Sequence, residues 1–503
     1  MAAVAAESNH GSYSEDVEKH LDSSKTPSHD SQLPAEDTNL VNWTDDSDPE
    51  NPQNWPAAKK WIITTILSTL TFCVTFASSV FSTATAETAK EFHVSNEVMV
   101  LGSSLFVLGF ALGPVVWGPL SELYGRKRPM FTGLFVFAIF NIPVAVAHNV
   151  ETILICRFLG GVFGCSPMAI VGGALADFWN PTERGVAVCS FAGATFIGPL
   201  AGPIAGSFIV ASSLGWRWTV WLTLIMIGVF GSLAYVVVPE SSAPVLLSWK
   251  AKRLRKETGN QNIHAAHDSK KVSFRAILTT YVLRPIKMLA MEPILLLLTI
   301  YMAFVYGVLY LFFFSYPIAF SGQRGWSTGL ASLPFLSIMV GIVFGSTYIV
   351  YFTKTQFASR MAKNGRTTPE DRLPPMIVGG ILLPIGLFWF AWTSNKNITW
   401  VPQVLAGIPT GAGVLIIFMQ GFNYIIDVYL MYANSALAGN ALIRSLLGAG
   451  FPLFASAMYN RLGVDWATSL LAFLAVTMVP VPVLFLFYGQ KMRSWSRMSL
   501  NKQ

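Results

Sequence analysis

Twelve long apolar runs, separated by short polar segments, set the plan of this chain. They fall at about 61–83, 99–118, 130–148, 152–175, 186–210, 217–238, 293–318, 329–352, 374–393, 400–424, 434–458 and 467–488. Each is close to the ~20 residues that a helix needs to cross the hydrocarbon core. In lipid every backbone N–H and C=O must be bonded within its own segment, so each run predicts a transmembrane helix. The longest internal polar stretch divides the runs six and six. The predicted organisation is an acidic, disordered tail (1–56), a first six-helix half (57–240), a central loop (241–290), a second six-helix half (291–490) and a short basic tail (491–503). Within the central loop, 244–258 reads as a basic amphipathic helix.

Composition leaves no room for a soluble fold. The 503 residues are 53% hydrophobic and only 12% charged, with a mean hydropathy of +0.50, whereas soluble domains carry about 25% charged residues. A formal net charge of +7 would suit nucleic acid, but the cations sit in short loops between apolar runs and form no basic domain. No nucleic-acid partner is expected. The four cysteines all lie inside apolar runs with no metal-ligand spacing, and no Gly-x-x-x-x-Gly-Lys-Ser/Thr loop occurs, so neither a metal, a cofactor nor direct ATP use is expected. Lys and Arg are concentrated in the loops that share a side with both termini, which predicts that both termini are cytoplasmic.

Between the second and third runs lies Gly118-Pro119-Leu120-Ser121-Glu122-Leu123-Tyr124-Gly125-Arg126-Lys127-Arg128. Two spaced glycines allow close helix approach and a tight turn, and Glu122 can pair with a guanidinium from its own turn or from a neighbouring helix. We expect a gate built from Gly118, Glu122, Gly125, Arg126, Lys127 and Arg128. The stretch closely resembles the loop 2–3 motif of the major facilitator superfamily, with Glu122 where that family usually has Asp. In the fifth run, Gly198-x-x-x-Gly202-Pro203-x-x-Gly206 forms a small-residue face. It resembles the antiporter motif of drug/proton exchangers, with Ser207 replacing its final glycine, and implies a seal in span five. Asp177-Phe178-Trp179, Trp216-Arg217-Trp218, Pro239-Glu240-Ser241 and the stretch from Tyr424 to Phe454 extend the likeness to fungal twelve-span drug:proton antiporters. The implied protein is an all-α polytopic carrier, functional as a monomer. It would export small hydrophobic or anionic compounds across the plasma membrane or the vacuolar membrane, and protons would be the coupling ion. A proton-independent facilitator or a nutrient importer is the alternative.

Arg157, a charge inside the fourth run, matches the family's span-four arginine and is the implied coupling residue. Proton exchange also needs a carboxylate whose affinity changes with conformation, and Glu87, Asp177 and Asp427 are the candidates. No acid stands at a midplane, while Arg157 and Arg444 do lie within runs, so the cargo is expected to be neutral or anionic. Tyr306, Tyr310, Asn423 and Arg444 are the candidate cavity residues. Asn397-Ile398-Thr399 is a glycosylation sequon in a loop predicted to be external.

Overall fold

The computed structural model describes residues 39–45, 47–268, 278–357, 359, 360, 362, 368–496 and 498. Most of the acidic tail, the loop cations Lys270, Lys271, Arg275, Lys363 and Arg366, and the end of the basic tail lie outside them. Among the described residues, eleven helices have the length and apolarity to cross a membrane: Ala57–Glu91, Asn96–Tyr124, Lys127–Ala145, Val150–Phe178, Glu183–Ala211, Arg217–Val237, Pro293–Gln323, Thr328–Phe357, Pro369–Trp392, Trp400–Tyr429 and Ala433–Trp495. The last contains two crossings. Gly463 interrupts it with φ 77° and ψ 166°, a left-handed conformation in which glycine avoids the Cβ penalty. Residues 433–462 are therefore span eleven and 464–495 span twelve, which completes the predicted twelve.

Span ends are set by local chemistry. The Ser95 hydroxyl and the Asn149 side chain accept from the backbone N–H groups of Val98 and Thr152, capping spans two and four. Gly125, at φ 88°, makes the reversal between spans two and three. Because odd spans rise and even spans return, the termini and the central loop share one face, called here the terminal face. The two halves meet along spans two and eleven and along spans five and eight. Tyr306 and Val107 both abut Gly448, where an added Cβ would stand 2.7 Å and 3.2 Å from them. Nearer the opposite face the Phe208 ring lies against Gly329, 2.8 Å from where its Cβ would be.

The helix expected over 244–258 runs Ala243–Thr258 and ends at Gly259 in the left-handed region, a common helix stop. It does not stand alone on the terminal face. The part of the tail that is described, from Asn39 to Pro56, packs on it, so the free tail expected over 1–56 is folded from residue 39 onward. Val41 N–H donates to His264 O at 2.9 Å, and His264 N–H donates to Asn39 O at 2.9 Å. Lys250 reaches Asp48 and Thr44, each at 2.9 Å, and Arg253 reaches Glu50 at 2.8 Å. Two acids of the tail, Asp48 and Glu50, thus pair with two cations of the loop helix, Lys250 and Arg253.

Candidate functional site

The loop 2–3 motif folds into a polar knot at the terminal face. Span three begins at Lys127, and the first N–H groups of a helix lack intrahelical partners. The Glu240 carboxylate, just beyond span six, accepts from two of the amides there, Arg126 N–H at 2.8 Å and Lys127 N–H at 3.0 Å. An anion at a helix N-terminus is favoured by the dipole as well. The Arg126 guanidinium forks onto Asp177 at the end of span four, Nε to Oδ2 at 2.9 Å and Nη2 to Oδ1 at 3.3 Å, and Nη1 donates to Ser121 Oγ at 3.1 Å. Ser241 Oγ also donates to Asp177, at 3.2 Å.

Glu122 does not take a guanidinium from its own turn, because Asp177 holds Arg126. Instead it crosses to the second half. There it accepts from Asn434 Nδ2 at 3.0 Å, and it also accepts from the hydroxyl of Tyr281 in the central loop. Burial first, and then the adjacent Glu122 carboxylate, push that hydroxyl above the ordinary phenol range, so Tyr281 remains a donor. Lys127 and Arg128 lie over the Tyr235 and Trp249 rings at 4.9 Å and 5.6 Å. The two motif glycines differ. At Gly125 a Cβ would collide with the Glu240 carboxylate, whereas at Gly118 it would meet nothing within 4 Å. A cavity of about 560 Å³, lined by Glu122, Arg126, Asp177, His267 and Tyr281 among others, lies between the knot and the loop helix.

The second half repeats the ion pair. Arg372 Nε lies 3.0 Å from Asp427 Oδ2, joining the start of span nine to the end of span ten as Arg126–Asp177 joins spans three and four. Arg493 of span twelve adds a bond to Glu370 at 2.9 Å. These geometric equivalents relate the halves although the glycine–acid pattern of loop 2–3 has no clear sequence copy.

Span five keeps its glycine face on span one. A Cβ at Gly198 would stand 2.8 Å from Phe72 O, at Gly202 2.8 Å from Val80 N, and at Gly206 2.5 Å from Thr83 Oγ1. Those neighbours are largely backbone, so a larger residue cannot be accommodated by a rotamer change.

Between the faces lies a chain of contacts that crosses the halves. Arg157, only 2% exposed, donates to three carbonyls: Gly102 O at 2.9 Å, Ala77 O at 3.2 Å and Ser78 O at 3.4 Å. Its guanidinium also lies 4.7 Å and 4.6 Å from the Phe81 and Phe106 ring centres. Ala77 and Ser78 lie where the α-helix gives way to a 3-10 turn at Phe81–Ala84, which leaves their carbonyls available. Ser78 Oγ is 2.8 Å from Tyr310 Oη in span seven, and Tyr306 Oη donates to Tyr310 Oη at 3.4 Å. Arg444 of span eleven lies 4.9 Å from the Tyr306 ring centre and 5.8 Å and 5.5 Å from those of Phe418 and Phe422. Phe418 in turn meets Phe196 of span five at 4.9 Å.

Three of the four predicted cavity residues, Tyr306, Tyr310 and Arg444, therefore meet. Asn423 is half-buried beside Phe422 and stands outside that chain. The four expected coupling residues are not brought together. Glu87 is exposed and pairs with Lys90 at 3.1 Å, while Asp177 and Asp427 each hold an arginine at the terminal face. On the opposite face Trp216 and Arg217 share the exposed carboxylate of Glu91, at 2.6 Å and 2.7 Å. Asn397 is exposed in a loop whose carbonyls Arg324 gathers, at 2.8 Å to Ile398 O and 2.9 Å to Thr393 O. Sequence reasoning gave no role to Glu240, Glu91, Tyr281, Ser78, Phe196, Phe418 or Phe422. Of these, Glu240 carried a signal: a lone carboxylate just past an apolar run.

Two six-helix halves, a polar knot at loop 2–3 and a buried layer between the halves define a membrane carrier. A profile of the Major Facilitator Superfamily matches residues 67–452, and the chain belongs to that family, whose members are transporters rather than enzymes. It is 57% identical to the citrinin biosynthesis cluster MFS transporter of Monascus ruber over 466 residues, 92% of this chain and 93% of that one. It is 53% identical to the ascochitine biosynthesis cluster MFS transporter of Didymella fabae, over 93% and 90% of the two chains. It is 45% identical to the cercosporin MFS transporter of Cercospora nicotianae, over 92% and 90%. Among solved structures the proton:xylose symporter XylE bound to 6-bromo-6-deoxy-D-glucose aligns with a TM-score of 0.60 at 17% identity, covering 87% of this chain and 96% of that one. That likeness shows the fold alone.

Proposed function

We propose that this protein exports a small, flat secondary metabolite, and that proton influx drives the cycle. The observation that carries the reading is the buried layer: two mid-span guanidiniums with no carboxylate beside them, joined through Tyr306, Tyr310 and Ser78 across the interface of the halves. Such a layer favours neutral or anionic organic cargo over a polyamine. The names of the relatives, drawn from metabolite biosynthesis clusters, support the same class. The excess of Lys and Arg on the terminal face supports cytoplasmic termini, so cargo enters from the side of the loop 2–3 knot. Glu122, Tyr281 and Asn434 latch that side, with the Arg126–Asp177 pair beside them. The packed glycine face of spans one and five keeps the first half closed to leakage. Arg157 couples by fixing spans one, two and four together. Asp177 and Asp427, the acids whose arginine partners lie at the moving face, are the groups to which we assign the proton.

The test is uptake of fluorescent aromatic compounds into energised inverted vesicles, with and without a proton ionophore, beside Arg157→Ala. Ionophore-sensitive accumulation that the substitution abolishes is the expected result. Accumulation indifferent to the ionophore overturns proton coupling and leaves a facilitator. That second reading is favoured by one observation: Arg157 is bonded to backbone carbonyls and not to an acid.

A further inference from the structure

The two buried arginines are treated in opposite ways. Arg157 has acceptors for its Nε and both terminal nitrogens. Arg444 makes no side-chain hydrogen bond or ion pair among the described residues, and its Nε is buried without a partner. Its neighbours are the ring faces of Tyr306, Phe418 and Phe422. Ring faces attract a cation but offer no acceptors to a guanidinium's five N–H donors. A cation held this way away from water is costly.

Arg444 also lies eleven residues into span eleven, about 17 Å along its axis, yet its side chain remains partly accessible. Tyr306 and Phe418 are buried and Phe422 is half-buried, so the accessible part of Arg444 adjoins an aromatic wall. What would satisfy the residue is a group with two acceptor oxygens for the planar fork, attached to a flat apolar body for the three rings. A lysine would read such a group only in part, because it supplies the charge but lacks the fork.

We propose that Arg444 is the anchor for the anionic group of the cargo, a carboxylate or an ionised acidic hydroxyl on an aromatic body, with Tyr306, Phe418 and Phe422 as the walls. The proposal rests on the export reading and narrows its cargo to aromatic anions. The Phe418–Phe196 and Tyr310–Ser78 contacts carry the site to the first half, so an occupant touches both bodies that must rotate.

The experiment uses a fluorescent coumarin carboxylate and its ethyl ester. Both are measured for uptake into inverted vesicles and for binding to the purified full-length protein, in wild type, Arg444→Gln, Arg444→Lys and Phe422→Leu. The expected wild type prefers the acid. Arg444→Gln loses acid binding by at least about tenfold, the effect of removing a charge-assisted hydrogen bond, and leaves the ester unchanged. Arg444→Lys restores part of the acid binding, and Phe422→Leu weakens acid and ester alike. Equal effects of Arg444→Gln on both compounds, or none, overturn the proposal. So does a wild type that binds the ester as tightly as the acid, even where it transports both and the export reading stands. Arg444-dependent acid binding without vesicle uptake sustains the anchor and overturns the export reading. Should Arg444→Gln fail to give a monodisperse protein, the Arg444→Lys and Phe422→Leu contrast decides by the same criterion.

Discussion

Gly118 and Gly125 are two glycines of one motif, and the structure predicts opposite outcomes for replacing them by alanine. Gly125 has φ 88° and ψ 175°, a region almost confined to glycine, where another residue costs about 1–3 kcal/mol. A Cβ there would also sit 2.6 Å from Glu240 Cδ. The carboxylate must move, and it then loses its bonds to the Arg126 and Lys127 amides, each worth about 1.5–3 kcal/mol when the acceptor is charged. Because the displaced carboxylate can regain some hydration, we expect a net loss of about 3–5 kcal/mol for Gly125→Ala. Gly118 lies inside the span-two helix with open space at its Cβ position. Gly118→Ala is expected to stabilise by about 0.5–1 kcal/mol, the helix-propensity difference. Cys73, Cys165 and Cys189 are free and buried, so a thiol-reactive fluorophore reports unfolding during a thermal ramp in detergent. A Gly125→Ala protein that unfolds at or above the wild-type temperature, or a Gly118→Ala protein less stable than Gly125→Ala, would refute the reasoning.

Gly202→Val drives a side chain into Val80 N and Phe76 O, both backbone. It is expected to destabilise by about 1–3 kcal/mol in the same thermal assay, whereas Gly193→Ala, inside the same helix with nothing within 4 Å, is expected to stabilise by about 0.5–1 kcal/mol, as at Gly118. Asp177→Asn and Asp427→Asn each strip an arginine of its counter-charge. The Asp177 side chain is 17% exposed against 29% for Asp427 and takes an extra bond from Ser241, so Asp177→Asn is expected to cost more; the reverse order would show that the two ion pairs are not equivalent. The Asp48 carboxyl is held well below the usual carboxylate range, chiefly by the Thr44 backbone N–H and then by Lys250. A lowered folded value means that its contribution is complete above the ordinary ~3.9 and is lost only as pH falls through the folded value. Hydrogen exchange of residues 39–55 is therefore expected to be equally slow, after correction for intrinsic rates, at about pH 5 and about pH 8, and fast in Lys250→Glu at both; loosening within that window would contradict the assignment.

The spans were legible because lipid leaves a long apolar run one way to bond its backbone. The division expected between the runs at 434–458 and 467–488 falls at Gly463, within one continuous helical stretch. The gate was legible as a motif but not as a set of bonds. Proximity in sequence favoured a Glu122–guanidinium pair. Span two, however, stays helical through Tyr124 and reverses at Gly125, so Glu122 faces the second half and Arg126 faces span four. Its partner, Asp177, is 51 residues away, and no periodicity links them. The tail misled for a compositional reason. Residues 39–56 are too polar to build a core of their own, but the acids at 45–50 and the cations at 250–256 are complementary, and that pairing folds both. Around Arg444, apolar periodicity could not distinguish Phe418 and Phe422 from packing residues, because a ring that walls a site and a ring that fills a core look the same in sequence.

The contacts between the halves also differ in kind from one face to the other, which bears on the direction of loading. At the terminal face Glu122 of the first half takes hydrogen bonds from Asn434 of the second half and from Tyr281 of the central loop. Water can replace such bonds, so breaking each costs a net of about 0.5–1.5 kcal/mol for neutral groups and somewhat more to a carboxylate. Towards the opposite face the contact is the Phe208 ring on Gly329, and between the faces it is Val107 on Gly448. These are apolar surfaces that water does not compensate, and separating them exposes area at about 25 cal/mol per Å². The terminal face is therefore the one that opens with less help, and the cavity between the loop 2–3 knot and the loop helix already reaches Glu122. The opposite face needs an added term to part. An anion seated on Arg444 supplies one: it neutralises an uncompensated buried charge at the point where Phe418 meets Phe196, and so stabilises whichever arrangement of the halves holds it. In this scheme the free carrier opens towards the side that carries the tail, and the loaded carrier is the form able to turn.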